Sequence, residues 1–253
     1  MIPAGAAGVI DAAGMSRDDA TRAYYDDFSR WYERERGRGY HGLIDDLEFA
    51  LTEPFARGKR CLEVGCGTGL ILERTAAVAS EAVGIDLSPG MLEKARERGL
   101  TVHEAPATKL PFDDARFDLV YSFKVLAHVP EIETALAEMA RVCAPGGTIL
   151  AEFYNPMSLR FLAKRLGPAG KVSETRTEAA VYTRFDSPKR IREMVPAGSR
   201  LVGLHGVRVF TPTARAVTLP VVGPLLQRAE HLALRSGLLA NFGGFVVAEI
   251  RRG

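Results

Sequence analysis

The chain has 253 residues, of which 47% are hydrophobic and 25% are charged, and its 33 basic and 31 acidic side chains give a net charge of +2. These proportions exclude a disordered or collagen-like chain, and so small a net charge does not predict nucleic-acid binding through a general electrostatic field. The length predicts a single hydrophobic core with added segments.

The ends of the chain and its cysteines do not indicate export or membrane insertion. Residues 1–15 are rich in alanine and glycine without lysine or arginine, which predicts a flexible tail rather than a secretory signal. The longest apolar run near the end, residues 216–226, contains two prolines and is too short to cross a bilayer. The cysteines show no C-x-x-C spacing, so we expect reduced, buried thiols in a cytoplasmic protein without a metal site.

Two helices are predicted before the first strand, within residues 16–57. Ser16 and Asp19 resemble a capping box, and aromatic residues then recur at helical spacing, namely Tyr24, Tyr25, Phe28, Trp31 and Tyr32. The second helix is predicted over residues 41–55 and ends before Gly58.

From residue 60 onward, short apolar runs alternate with helical periodicity. This pattern predicts strands at residues 60–64, 82–85, 101–103, 117–122 and 148–153, and helices at residues 70–78, 89–98 and 131–143. Such a series of βαβ units predicts an α/β fold with a doubly wound parallel sheet.

The alternation is interrupted after Phe153 by a turn-rich region that reaches about Asp186. The predicted elements beyond it are a helix at residues 188–194, a strand at 201–210, a helix at 225–236 and a strand at 245–251. We therefore predict one domain over residues 16–253 that carries lid insertions at about 154–187 and 211–241.

Glycines 65, 67 and 69 lie between the first predicted strand and the next helix. Glycines at such a turn let backbone N–H groups approach a ligand closely, which predicts an anionic group there. A tight turn without a ligand is the alternative reading. Only Thr68 separates the second and third glycines, whereas the dinucleotide fingerprint has two residues there, so the spacing disfavours NAD.

Asp86 ends the second predicted strand, about twenty residues after the glycines, where a carboxylate can accept hydrogen bonds from ribose hydroxyls. The alternative is that Asp86 caps the next helix, but Ser88 is better placed to cap a helix that begins at Pro89. Together with the glycines, Asp86 predicts a nucleoside ligand.

Five segments occur in a familiar order: LEVGCGTG, GIDLSPGML, LPFDDARFDLV, SFKVLAHVPE and RVCAPGGTIL. With them, residues 20–153 resemble class I S-adenosylmethionine-dependent methyltransferases, in particular the small-molecule group that includes ubiquinone and menaquinone methyltransferases. The resemblance implies a seven-stranded, mostly parallel Rossmann-like sheet. It also implies S-adenosyl-L-methionine as the cofactor, S-adenosyl-L-homocysteine as the product and a small molecule as the methyl acceptor.

The resemblance implies a set of cofactor-binding residues: Tyr24, Glu63, Gly65, Cys66, Gly67, Asp86, Leu87, Met91, Ala107, Thr108, Phe123 and Lys124. Residues 63–67 would surround the methionine part, Asp86 would hold the ribose, and Leu87 and Met91 would flank the adenine. Pro106 stands where the family usually has an aspartate, which leaves the N–H of Ala107 and the hydroxyl of Thr108 to contact the adenine.

His128 follows the fourth strand, where ligands bind in doubly wound sheets. It is the candidate general base, because histidine titrates near neutral pH. The alternative is a hydrogen bond to a backbone carbonyl. Tyr24 and Tyr25 resemble aromatic residues that close over the cofactor, and the alternative for them is packing of an amphipathic helix.

The two predicted insertions bear on the methyl acceptor. Residues 155–192 contain nine basic and three acidic side chains, whereas residues 217–239 are strongly apolar. Together they favour a hydrophobic acceptor with an acidic head, or contact with an anionic membrane surface. We expect methylation on oxygen or carbon rather than on nitrogen. The alternative is that the basic side chains are merely solvated and the apolar stretch packs on the sheet.

Two other functions remain open from the sequence. One is a protein that binds S-adenosylmethionine without catalysis, and the other is a nicotinamide-dependent oxidoreductase that shares the nucleotide-binding sheet.

Overall fold

The computed structural model describes residues 22, 25–26, 39–158, 161 and 182–253. Its centre is a seven-stranded sheet with the strand order β3-β2-β1-β4-β5-β7-β6. The strands are β1 (Arg60–Val64), β2 (Glu81–Asp86), β3 (Thr101–Glu104), β4 (Phe117–Ser122), β5 (Cys143–Tyr154), β6 (Ser199–Val207) and β7 (Phe245–Arg252). Strands β1 to β5 pair in parallel, and β7 runs antiparallel to both β5 and β6. The prediction of a seven-stranded, mostly parallel sheet is confirmed.

In the described residues, one long helix precedes β1 and the other helices lie between successive strands, as the alternating pattern predicts. They are α1 (Gly39–Ala56), α2 (Leu70–Ala76), α3 (Pro89–Glu97), α4 (Ile132–Val142), α5 (Pro188–Glu193), α6 (Val222–Ala233) and α7 (Gly237–Ala240). Two short 3₁₀ helices span Leu126–His128 and Ala214–Thr218. The sequence did not predict α7, which has only four residues and therefore no helical periodicity to detect.

Several predicted boundaries differ from the structure. The helix predicted over residues 225–236, for example, spans Val222–Ala233. The strand predicted over residues 201–210 ends at Val207, because Arg208 has a left-handed backbone with φ of 62° and leaves the sheet. The strand predicted to begin at residue 148 begins at Cys143. The amino-terminal helix is described only at Arg22, Tyr25 and Asp26, which are helical; the predicted tail at residues 1–15 lies outside the described residues.

The two faces of the sheet form separate cores because neighbouring side chains in a strand point to opposite faces. Leu62 belongs to the core beneath α4, whereas Cys61 belongs to the core beneath α1. Helix α1 therefore covers one face of the sheet with apolar side chains such as Leu47, which is fully buried. The three cysteines, all of them described, are buried and form no disulfide.

The carboxyl ends of β1, β2, β4 and β5 lie along one edge of the sheet, which we call the carboxyl edge. In the register of the antiparallel strands, Phe245 is paired with both Tyr154 and Val207. Residues 208–244 therefore leave β6 and return to β7 at this same edge. Within the described part of the chain, no helix is both long enough and apolar enough to span a membrane.

Candidate active site

The three glycines after β1 all have left-handed backbones, with φ of 78° at Gly65, 53° at Gly67 and 84° at Gly69. A Cβ atom on Gly65 would lie 2.2 Å from the side chain of Val125, and one on Gly69 would lie 2.4 Å from Leu100. A Cβ on Gly67 would meet no atom within 4 Å. Two of the glycines are thus required by packing inside the protein, and only Gly67 faces open space that a ligand can occupy.

The backbone N–H groups of this loop already have partners inside the chain. Those of Gly65 and Cys66 donate to the carbonyl of Ile85 at 2.7 and 2.9 Å, and that of Gly67 donates to Oδ2 of Asp86 at 2.8 Å. This differs from the expectation of an anionic group bound by these N–H groups. Because these three donors are used, they are not available to bind an anion.

Asp86 connects the glycine loop to the start of α3. Its Oδ1 accepts the N–H of Ser88 at 2.9 Å, while its Oδ2 holds Gly67. Ser88 caps α3 by accepting the N–H of Met91 at 3.2 Å, which confirms that the serine, and not Asp86, is the cap. Burial raises the pKa of Asp86 although three backbone N–H groups lower it.

Glu63 is a second buried carboxyl group beside the loop, with 4% of its surface exposed. The hydroxyl of Tyr121 lies 3.2 Å from its Oε2 and 2.9 Å from the hydroxyl of Thr75. Burial raises the pKa of Glu63 well above its usual range. The buried carboxyl groups of Glu63, which precedes the loop, and of Asp86, which bonds to Gly67, suit a ligand that carries positive charge and hydroxyl groups.

The remaining predicted adenine contacts lie near Asp86. Leu87 is half-buried, whereas Met91 is buried at the start of α3. Ala107 and Thr108 are half-buried and follow β3, whose end is joined to β2 by a 3.1 Å hydrogen bond from Ala105 to the carbonyl of Asp86. The chain thus brings both segments to the carboxyl end of β2.

The amino-terminal helix contacts three loops of the carboxyl edge through its described residues. Arg22 pairs with Glu104 at the end of β3. Oδ1 of Asp26 accepts the hydroxyl of Ser88 at 2.5 Å and the N–H of Gly90 at 2.9 Å.

Tyr25 makes the third contact, with its ring centroid 6.4 Å from that of His128. The sequence indicated Tyr24 and Tyr25 but not Asp26, since an aspartate in a polar helical stretch carries no signal of a partner 62 residues away. Tyr24 lies outside the described residues.

Phe123 and Lys124 follow β4 on the face covered by α1. The Phe123 ring is buried and packs on Tyr121 at 5.6 Å, within the core beneath α1. Lys124 has a left-handed backbone with φ of 61°, and its ammonium group lies 2.9 Å from Asp45 and 2.8 Å from Glu48 of α1. Both side chains therefore connect the end of β4 to α1.

His128 lies at the end of the 3₁₀ helix after β4 and is half-buried. Its Nδ1 lies 2.9 Å from the carbonyl oxygen of Tyr182 and 3.3 Å from the hydroxyl of Thr183. A carbonyl oxygen only accepts, so this contact is a hydrogen bond when Nδ1 carries the ring proton and Nε2 is the accepting nitrogen. Burial lowers the pKa of His128, which favours the neutral ring.

Aromatic rings extend from His128 along the carboxyl edge. The ring of Tyr154, at the end of β5, lies 5.6 Å from that of His128, 6.0 Å from Phe185 and 5.1 Å from Phe245. Phe185 is 49% exposed, so this aromatic wall, formed by Tyr154, Phe185 and Phe245, reaches solvent. The sequence does not predict this wall, because its members come from three separate segments.

The basic side chains predicted for an acidic head group are partly used within the fold. Arg184 makes two hydrogen bonds of 2.8 Å to Asp186, and Arg190 pairs with Glu133 at 2.5 Å. Arg192 donates to the carbonyl of Pro188 at 2.9 Å. These three arginines therefore have structural partners.

Comparisons with known proteins agree with this geometry. A family model described as a methyltransferase domain matches residues 62–151. The chain is 32% identical over 173 residues to a ubiquinone biosynthesis O-methyltransferase of Azoarcus sp. strain BH72, covering 64% of this chain and 72% of the relative. It is 32% identical over 183 residues to a demethylmenaquinone methyltransferase of Renibacterium salmoninarum, covering 66% and 75%.

The fold also has solved relatives. An S-adenosylmethionine-dependent methyltransferase of Thermotoga maritima matches with a TM-score of 0.64 at 20% identity, and the match covers 94% of this chain and 100% of the other.

Proposed function

Because the chain belongs to the S-adenosylmethionine-dependent methyltransferases that act on small molecules, we propose that it methylates a hydroxyl oxygen or a carbon atom of a hydrophobic acceptor. The observation that carries the proposal is the position of His128 between Tyr25 and the aromatic wall.

The cofactor site of the proposal is formed by the glycine loop, Glu63 and Asp86. S-Adenosylmethionine supplies an electrophilic methyl group on a positively charged sulfur, and it also carries an ammonium group and ribose hydroxyls. The open surface at Gly67 and the buried carboxyl groups fit these features. The carboxylate of Asp86 would also accept hydrogen bonds from the ribose hydroxyls, because the N–H groups of Gly67 and Ser88 do not use all of its oxygen lone pairs.

The acceptor site of the proposal lies between His128 and the aromatic wall. The contact of Nδ1 with the Tyr182 carbonyl favours the tautomer in which Nε2 accepts a proton. A neutral imidazole at this position would take the proton from an acceptor hydroxyl or activated carbon as the methyl group is transferred. The aromatic rings would hold an apolar acceptor in line with the methyl group, and this orientation supplies most of the rate.

The acidic head group of the acceptor and peripheral contact with a membrane also belong to the proposal. A hydrophobic acceptor partitions into membranes, so an enzyme that uses it benefits from resting at the bilayer surface. Catechol-like and quinol-like acceptors with and without a carboxylate would show whether the acidic head contributes to KM.

The experiment that tests the proposal measures formation of S-adenosylhomocysteine with phenolic, carbon-acid and amine acceptors. We expect turnover on phenolic or carbon-acid acceptors, with His128→Gln lowering kcat by about 10²-fold or more and leaving cofactor affinity unchanged. His231→Gln, an exposed position on α6, is the matched control. Cofactor binding without turnover on any acceptor would favour the non-catalytic alternative, and turnover on amines alone would overturn the proposed acceptor class.

A further inference from the structure

Helix α6 and the residues next to its two ends present a stripe of exposed aliphatic and arginine side chains. Leu225, Arg228 and Leu232 share one face of α6, because they are three and four residues apart. Val221 is the residue just before the helix, and Arg235 lies in the turn just after it. Val221 is 72% exposed, Leu225 59% and Leu232 84%. Large aliphatic side chains so fully exposed on one helix face are typical of a binding surface. We call these five residues the α6 stripe.

The buried side chain of Glu230 attaches the opposite side of α6 to the protein. Glu230 is fully buried and accepts the N–H groups of Val209, Phe210 and Thr211 at 2.8, 2.9 and 2.8 Å, together with the Thr211 hydroxyl at 2.8 Å. This side of the helix therefore faces the end of β6, and the α6 stripe must face outward. The exposure of the stripe follows from these contacts.

The segment that carries α6 is also joined to α1. The Arg208 guanidinium lies 4.7 Å from the centre of the Tyr40 ring, and Val217 is buried in the core beneath α1. Residues 208–244 are thus held firmly against the fold at the carboxyl edge.

The exposed charged side chains of residues 208–244 are all positive. Residues 208–244 contain four arginines and one acidic residue, Glu230, which is buried. The exposed charges of the segment are therefore Arg215, Arg228 and Arg235, all of them positive at neutral pH. Leu238, which is 76% exposed, extends the apolar part beyond the helix.

We propose that the α6 stripe docks the protein on an anionic lipid surface. Exposed aliphatic side chains interspersed with arginines match the boundary between acyl chains and negatively charged headgroups, where the arginines remain in the headgroup layer. Because the segment leaves the sheet at the carboxyl edge, docking would place the aromatic wall close to the membrane. Docking through the α6 stripe assigns a surface to the membrane contact included in the proposed function, and the placement of the aromatic wall rests on that function.

The test is sedimentation of the full chain with vesicles of phosphatidylcholine alone and of phosphatidylcholine and phosphatidylglycerol in equal parts. We expect binding to the anionic vesicles that weakens with salt. Leu232→Ser should lower partitioning by about tenfold or more, and Arg228→Ala or Arg235→Ala by about fivefold each. The matched controls are Val202→Ser and Arg200→Ala, at exposed positions on β6 outside the segment, and both should bind as the unchanged chain does.

Three outcomes would overturn lipid docking: no sedimentation with anionic vesicles, equal partitioning of Leu232→Ser and the unchanged chain, or a dimer in light scattering that Leu232→Ser dissociates. The last result would assign the stripe to a second copy of the chain. Calorimetric binding of S-adenosylhomocysteine, measured on the same samples, separates this proposal from the proposed function. Intact cofactor binding with failed vesicle binding removes only the docking proposal.

Discussion

The ammonium group of Lys124, at the end of β4, lies 2.8 Å from a carboxylate oxygen of Glu48 in α1. Glu48 is fully buried and the Lys124 side chain is 20% exposed, so the contact is shielded from water. The N–H of Lys124 also donates to Oε1 of Glu152 at 2.9 Å. One residue thus connects α1, β4 and β5 where the candidate acceptor site begins.

Loss of the Lys124 ammonium should destabilise the fold strongly. Lys124→Met keeps most of the aliphatic packing but leaves the Glu48 and Asp45 carboxyl groups without their positive partner. Breaking a buried pair in this way costs roughly 3–5 kcal/mol. Urea unfolding would measure the loss, and the exposed Lys109→Met serves as the control. A change below about 1 kcal/mol would mean that the contact behaves as a surface ion pair.

The contribution of Glu152 to the free energy of unfolding should decrease as pH rises. Burial raises the pKa of its carboxyl group well above the usual range, so the folded state retains a proton that the unfolded chain releases near pH 4.3, roughly. Its contribution to stability is therefore complete below the unfolded pKa and is lost as pH rises through the folded value.

Glu152→Gln tests this pH dependence. The amide oxygen can still accept the Lys124 N–H, but the group no longer titrates. Relative to the unchanged chain, the variant should become progressively more stable as pH rises above about 4.3, as measured by urea unfolding across a pH series. Glu97→Gln, exposed on α3, is the control. Parallel stability curves for Glu152→Gln and the unchanged chain would show that Glu152 does not titrate in this way.

The elements of the fold could be predicted from the sequence because their signals are local. Apolar runs, helical periodicity and the cap at Ser88 are all visible within a few residues. The contacts of Lys124 are not, because Asp45 lies 79 residues away and resembles an ordinary polar position in α1. Glu230 is similar, since nothing near it in sequence predicts that it binds the N–H groups at residues 209–211. Long-range polar pairing requires the three-dimensional fold.

Cofactor affinity should rise with pH, because burial raises the pKa of both Asp86 and Glu63. A cationic ligand favours their ionised forms, so its binding releases protons and is stronger where the carboxyl groups are already charged. Calorimetry should therefore show tighter S-adenosylmethionine binding as pH increases. S-Adenosylhomocysteine, which lacks the sulfonium charge, should show a shallower dependence.

The same measurement tests the role of Asp86 directly. Asp86→Ala removes a charged acceptor and should weaken cofactor binding by roughly 10- to 100-fold. Asp113→Ala, beyond the end of β3, provides the control for removal of a carboxylate. Unchanged affinity in Asp86→Ala, or an identical pH dependence for both ligands, would place the cofactor elsewhere.

Substitutions of the loop glycines should distinguish a glycine required for packing from one required for ligand binding. Gly65→Ala places a methyl group 2.2 Å from the Val125 side chain, so it should destabilise the fold, and Val125→Ala in the same chain should restore part of the loss. Gly67→Ala meets no neighbour within 4 Å. Its cost in stability should be only that of an alanine at positive φ, roughly 1 kcal/mol, but its methyl group enters the space assigned to the cofactor.

Gly58→Ala is the matched control, because Gly58 also has a positive φ and no atom near its Cβ, but it lies at the opposite end of β1. We expect Gly58→Ala and Gly67→Ala to lose similar stability in urea unfolding. Only Gly67→Ala should weaken S-adenosylhomocysteine binding, by about tenfold or more, because the added methyl group occupies the open space at Gly67. Equal cofactor affinity in these two variants would show that the open space at Gly67 is not where the cofactor binds.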